Sequence, residues 1–228
     1  MMRRRALLLA GLLLAGLVAT AAPASAASGA RPSPSDRALI AAGLVARGDV
    51  PASWVGSHQS NDIREFSKIA ACRAVYVALL AANRRVPNAL SRQFADPTSN
   101  GQTLASDQVF AFRTVKAASA YLAAFEGPNA GPCLQMAIQQ VVVGGGVNNT
   151  AATVGTPAGL DGIGDAATGE QVTVSVAASG TSLTLVVDFD AVRIGRTVIG
   201  FDFLNANHPL PQALPIIGAA VARVQHAG

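Results

Sequence analysis

The residues of this chain that could do chemistry are few, and most stand alone. Cys72 and Cys133 are the only two cysteines. An even count in an exported chain points to a disulfide; two buried free thiols or a metal pair are the alternatives. A metal centre needs three or four ligands at characteristic spacings. The sequence has no CxxC or HxxxH, and His58, His208 and His226 are scattered singly. A Cys72–Cys133 bond would close a loop of about 60 residues, for which chain entropy allows at most about 4 kcal/mol.

Other motifs are weaker. Gly56-Ser57-His58 puts a nucleophile beside a base, but neighbours in sequence rarely face one another, and the GxSxG elbow is absent. Asp161-Gly162-Ile163-Gly164-Asp165 carries two carboxylates, yet lacks the spacing and closing glutamate of a calcium loop and reads as a turn. Gly144-Gly145-Gly146 is followed by no Lys-Ser/Thr, so it is a connector rather than a phosphate loop. Asn148-Asn149-Thr150 is a formal glycosylation sequon. Asp188 and Asp190 share a strand face that is expected to meet solvent or a cleft. Arg193 and Arg196 flank a tight turn and read as solvated. Trp54, the single tryptophan, reads as a core or edge anchor. No catalytic set and no cofactor motif emerges.

The N-terminus says where these residues work. Arg3-Arg4-Arg5, the apolar run Ala6 to Val18, and Ala24-Ser25-Ala26 have the three-part layout of a secretory signal peptide. Cleavage is expected after Ala26. Arg4-Arg5-Ala6-Leu7-Leu8 loosely resembles a twin-arginine signal, but the strongly apolar run favours general secretion. The run is short for a membrane span, Pro23 breaks it, and no cysteine follows the small residues to take a lipid. Ala27 to Asp36, with Pro32 and Pro34, reads as a flexible linker to a single domain over 37–228.

Half of the 228 residues are hydrophobic and 13% are charged, which excludes a disordered polar chain. The formal charge of +4 includes the three leader arginines; the remainder is close to neutral, and no nucleic-acid partner is expected. No second run long enough to span a membrane follows the leader.

The elements that must position the cysteines are legible from periodicity. A short helix is expected over Asp36–Arg47, followed by extended Val50–Trp54. The longest helix is expected over Asp62–Asn83, with Asp62 and Glu65 as a capping pair and Ile69, Cys72, Tyr76 and Leu79 on one face. A strand follows at Gln108–Arg113. Thr114 then caps a helix to Phe125, with Ala118, Tyr121 and Leu122 in its stripe. A third helix starts at Pro132 and carries Cys133, Leu134, Ile138 and Val141. Gly144 to Gly164 reads as loop. Three alternating segments come next, around Val172–Val176, Leu183–Phe189 and Ile199–Phe203; with turns at Gly180 and Gly195-Arg196 they form an antiparallel meander with one buried face. A last helix from about Gln212 sets Leu214, Ile217, Val221 and Val224 on one stripe. The fold class is α+β: an antiparallel β-sheet with helices packed mainly on one face and a C-terminal helix.

The order of these features resembles the actinobacterial extracellular sensor-type domain, the PknH-like extracellular domain family. The matching pieces are Val50-Pro51-Ala52-Ser53-Trp54, Cys72 in a helix, Val109-Phe110-Ala111-Phe112 followed by an Ala-rich helix and Cys133, Gly164-Asp165-Ala166, the hairpin Val192 to Val198, and the closing helix. The resemblance implies a sheet flanked by helices, an exposed cleft, and ligand sensing without catalysis. Relatives often carry two disulfides and a kinase or lipid tether; this chain has cysteines for one disulfide and reads as free-standing. The expectation is therefore a secreted, non-enzymatic binding or sensor-like module of the cell envelope, needing no metal or cofactor. Its partner would be an envelope ligand or protein that the sequence does not specify. The competing readings are an extracellular hydrolase with a non-local Ser/His/Asp site built on His58 or His208, and an envelope-assembly interaction protein.

Overall fold

The structure, a computed structural model, describes residues 32–59, 68–144, 150–178 and 181–228. The leader and most of the expected linker lie outside the described residues. So do the Asp62/Glu65 pair, Gly180, and Asn148 and Asn149 of the sequon.

Helix α1 runs Pro34–Gly43. It starts earlier than periodicity suggests because Ser33 and Asp36 close a reciprocal capping box and Pro34 sits in the first turn. A 3-10 turn at Ala70–Cys72 leads into α2, Arg73–Arg85. Its buried line is Cys72, Val75 and Ala82, with Tyr76 and Leu79 half-buried. Thr114 caps α3, Val115–Leu122, accepting a hydrogen bond from the Ala117 amide. Helix α4 is Ala130–Gly144, so Pro132 falls in its first turn, where a missing N–H costs nothing. Helix α5, Ala213–Ala227, buries Ile216, Ile217, Ala220, Val221 and Val224; Leu214 turns outward.

One eight-stranded antiparallel sheet carries these helices, in the order β1-β3-β4-β8-β7-β6-β5 with β2 also on β4. Its strands are β1 Val55–Ser57, β2 Asn88–Leu90, β3 Gln93–Ala95, β4 Leu104–Ala111, β5 Thr150–Gly155, β6 Ala166–Ala178, β7 Thr181–Ile194 and β8 Thr197–Ala206. The meander β6-β7-β8 and the terminal helix follow the sequence pattern. Strand β5 lies inside the expected loop: it is an edge strand, so no alternating apolar face announces it.

The α+β class stands. Helices α1 and α5 cover one face, packing Leu39, Ile40, Ile216, Ile217 and Val221 over Val109, Ile199, Phe201 and Phe203, with Trp54 in the same core. Helices α2, α3 and α4 lie on the other face, over two separate apolar clusters. Strand β7 is therefore covered on both sides over much of its length, with Val186, Asp188 and Asp190 as enclosed as Leu185 and Val187, while Phe189 stays partly exposed. On the α1–α5 side of this central strand no solvent face is left for Asp188 and Asp190.

Candidate functional site

Cys72 and Cys133 are joined, with Cα atoms 4.5 Å apart. The bond is fully buried among Ile69, Val75 and Ala130. It ties the start of α2 to the first turn of α4, on the three-helix face. Leu79 and Phe125 belong to this cluster and to the aromatic one beside it, so the bond holds these helices against the sheet as a unit.

The sheet beneath them alternates in character. Register aligns Leu104, Leu204, Val187 and Val172 in one row, the apolar floor under Leu134 and Ile138 of α4. Another row holds Phe110 and Val198, the floor under Ala118, Tyr121 and Leu122 of α3. The two rows between them break the pattern. One reads Ser106, Asp202, Phe189, Glu170; the other reads Gln108, Gly200, Ala191, Thr168. A polar strip thus crosses the middle of the sheet between two dry clusters.

Solvent reaches this strip. Gly200 lies on a central strand, yet it is partly exposed, as are Asp202, Gln108, Phe189, Thr168 and Glu170. The opposite face at this point is closed, since Ile199 and Phe201 are almost fully buried under α5. Among the described residues, a Cβ placed on Gly200 would meet nothing nearer than the Gln108 carbonyl oxygen at 4.0 Å. Among the described residues the strip is a partly exposed gap in the packing of this face.

Its electrostatics are those of an acid in poor solvent. Burial, reinforced by Asp107 through the sheet, pushes the Asp202 carboxyl up to about 7. Burial also raises Glu170, whose carboxylate lies against Gly131 in the first turn of α4, where the helix dipole favours negative charge. Burial and the Asp202 charge keep the Tyr121 phenol protonated. Gln108 donates from Nε2 to Asn83 and Asn88 at 2.6 and 3.0 Å, which fixes its amide at the cleft edge.

The opposite face holds a second set of acids, but sealed. Asp107 accepts from the Val45 amide at 3.0 Å and leaves its second oxygen unpartnered. Asp188 accepts from Gln171 at 2.8 Å. Asp190 has one oxygen without a partner. Burial lifts Asp107 and Asp190 to about 7, with Asp188 and Asp202 adding to the rise at Asp190. The expectation that Asp188 and Asp190 meet solvent fails: Pro157 and Leu160 pack close over Gly169, the cross-strand partner of Asp190.

The remaining sequence candidates have structural roles. Asp165 accepts from Arg193 and from the Gly195 amide, bracing the β7–β8 turn. Arg196 bonds Asp36 and the Phe112 carbonyl, tying that turn to α1. Ser57 donates to the Gln93 carbonyl. His208 contacts the Asn205 amide and the Pro209 carbonyl. No histidine forms a hydrogen bond to a serine or a carboxylate among the described residues. Among those residues, too, no three His, Cys, Asp or Glu side chains gather where they could hold a metal ion.

No single strand's sequence announces the strip. Gly200 and Asp202 interrupt an apolar alternation, which a one-sided strand explains as its solvent face. A glycine within a strand is nonetheless a recognised sign of close approach by another group.

No family model matches the chain, and no curated protein does. Among solved structures it is similar to the extracellular domain of PknH from Mycobacterium tuberculosis, at 13% identity and a TM-score of 0.49, over 87% of this chain and 100% of that one.

Proposed function

We propose that the chain is a secreted, non-enzymatic binding module of the cell envelope, and that its ligand lies on the polar strip beneath the disulfide-tied helices. The observation that carries this reading is the solvent-reachable row around Gly200 and Asp202, set in an otherwise apolar sheet face. A core strand gives up packing to hold a glycine and a carboxylate there. A bound group would restore contacts that the fold leaves unmade.

The leader pattern and the paired cysteines support export to an oxidising compartment. No described helix is long and apolar enough to cross a membrane. Among the described residues neither His58 nor His208 bonds a serine or a carboxylate, which weighs against the hydrolase reading.

The test is a binding screen on the exported, disulfide-bonded chain, using envelope glycolipids, peptidoglycan fragments and small metabolites. Saturable binding that perturbs amide resonances of Gln108, Phe189 and Asp202 supports the reading. Turnover of any of these substrates, with no saturable binding at the strip, overturns it.

A further inference from the structure

We propose that the strip takes a small organic cation, an amine with an apolar substituent, whose ammonium pairs with Asp202 while the substituent lies on Phe189. The inference rests on the binding reading above and names the ligand class for that site.

The argument is charge balance. Asp202 makes no hydrogen bond among the described residues and has no basic partner. The elements around it supply none. Strand β4 offers Ser106 and Gln108, β7 offers Phe189, and β6 offers Glu170. Arg193, a row away on β7, is held by Asp165 and the Gly195 carbonyl. Helix α4 has no charged side chain in its whole length, and α3 has only Lys116, which is exposed. The three arginines of α2, Arg73, Arg84 and Arg85, are all exposed. Through the sheet, Asp107 adds negative charge.

Among the described residues, every fixed charge that the four strands place in the strip is therefore negative. An anionic ligand would meet like charge, and a neutral polyol would cover Asp202 without supplying a counter-charge. Among the described residues, no third metal ligand joins Asp202 and Glu170. An ammonium beside Asp202 offsets the two effects that disfavour its charged form, desolvation and the field of Asp107. Phe189, the partly exposed cross-strand neighbour of Asp202, adds apolar area and an aromatic ring. At Gly200 an added Cβ would meet no described atom nearer than 4.0 Å, so the strip is not packed shut there.

Benzylamine is the probe, with benzyl alcohol and benzoate as neutral and anionic counterparts, titrated into the exported chain and followed by NMR. Benzylamine should saturate the strip and outbind both counterparts. Because an empty-site carboxyl near 7 must lose its proton to pair with the ammonium, affinity should rise with pH up to about 7 and then level off. Asp202→Asn should weaken benzylamine by roughly tenfold or more and remove that pH dependence. If Asp202→Asn does not fold, the wild-type pH profile decides alone. Equal binding of benzyl alcohol, a flat profile, or unchanged affinity in a folded Asp202→Asn overturns the cation. Gly200→Leu separates the two levels of the claim: if it abolishes benzyl alcohol or benzoate binding while benzylamine never binds, the strip stands and the cation falls. If strip-filling by Gly200→Leu leaves all binding intact, the site itself is wrong.

Discussion

Arg223 grips Asp49 with both arms of its guanidinium, at 2.7 and 2.8 Å, across 174 residues of sequence. The same side chain donates to the carbonyls of Ala42 and Leu44 at 2.9 Å each. Those carbonyls sit at the end of α1, where helical partners run out. One residue of α5 thus satisfies the C-terminus of α1 and anchors the segment after it, closing the two-helix layer.

Arg223→Lys should therefore destabilise the fold, because an ammonium cannot reproduce a planar fork that serves four acceptors. The guanidinium is partly exposed, so the ion-pair share is screened and the loss should be about 1–2 kcal/mol, mostly from the carbonyl bonds. Urea unfolding of the two proteins measures it. Equal midpoints would show that the clamp contributes nothing.

Loss of the disulfide should act on a different layer. Cys72→Ser with Cys133→Ser should lower the melting temperature while the far-ultraviolet circular dichroism stays close to wild type, since neither helix needs the bond to be a helix. The entropic ceiling for a loop of this separation, 61 residues, is about 4 kcal/mol. Both sulfurs are fully buried, so an intact protein should also resist mild reductants until it opens. Thiol titration at increasing denaturant checks this: early reactivity would contradict the burial.

Stability should fall as pH rises through neutrality. Asp107, Asp190 and Asp202 all stand near 7 in the fold, against about 3.9 in an unfolded chain. A carboxyl raised in this way holds its proton more tightly when folded. Its contribution is intact below about pH 4 and is lost as pH climbs to about 7. Asp36 works in the opposite sense: hydrogen bonds from Arg196 and Ser33 outweigh its desolvation and lower it, so its contribution is lost in acid. The melting temperature should thus be higher near pH 5 than near pH 8. Asp190→Asn, which removes a sealed charge with an unpartnered oxygen, should stabilise the protein at pH 8 and flatten the curve. A melting temperature that rises between those two pH values would refute the assignment.

How much of this the sequence discloses depends on what each residue's neighbours are. The Thr114 cap and the alternation of Val172, Val174 and Val176 are local, and local chemistry decides them. Asp188 and Asp190 mislead because polar alternation looks the same whether the second face meets water or a helix pair. The cover over them comes from α5 and from Leu160, both far along the chain. The strip is harder still. Ser106, Asp202, Phe189 and Glu170 become neighbours only through the register of four strands. No one of those strands carries the pattern. Cys72 and Cys133 were readable because only one pairing was available.

Two glycines on neighbouring rows should respond oppositely to the same change. Gly169 faces the closed side: an added Cβ would collide with Asp190 Oδ1 and lie 2.7 Å from Pro157 Cγ and 2.9 Å from Leu160 Cδ1. Gly169→Ala must push a sealed carboxylate or the covering loop aside, which should cost about 1–3 kcal/mol. Gly200 faces the cleft, with 4.0 Å of clearance to the nearest atom. A strand glycine with room for a methyl group carries only its entropic penalty, so Gly200→Ala should stabilise the fold by about 0.5–1 kcal/mol. Parallel denaturant melts of the two variants give the comparison. A Gly200→Ala protein as damaged as Gly169→Ala would mean that the middle of the three-helix face is packed shut, and that the strip is not a cleft.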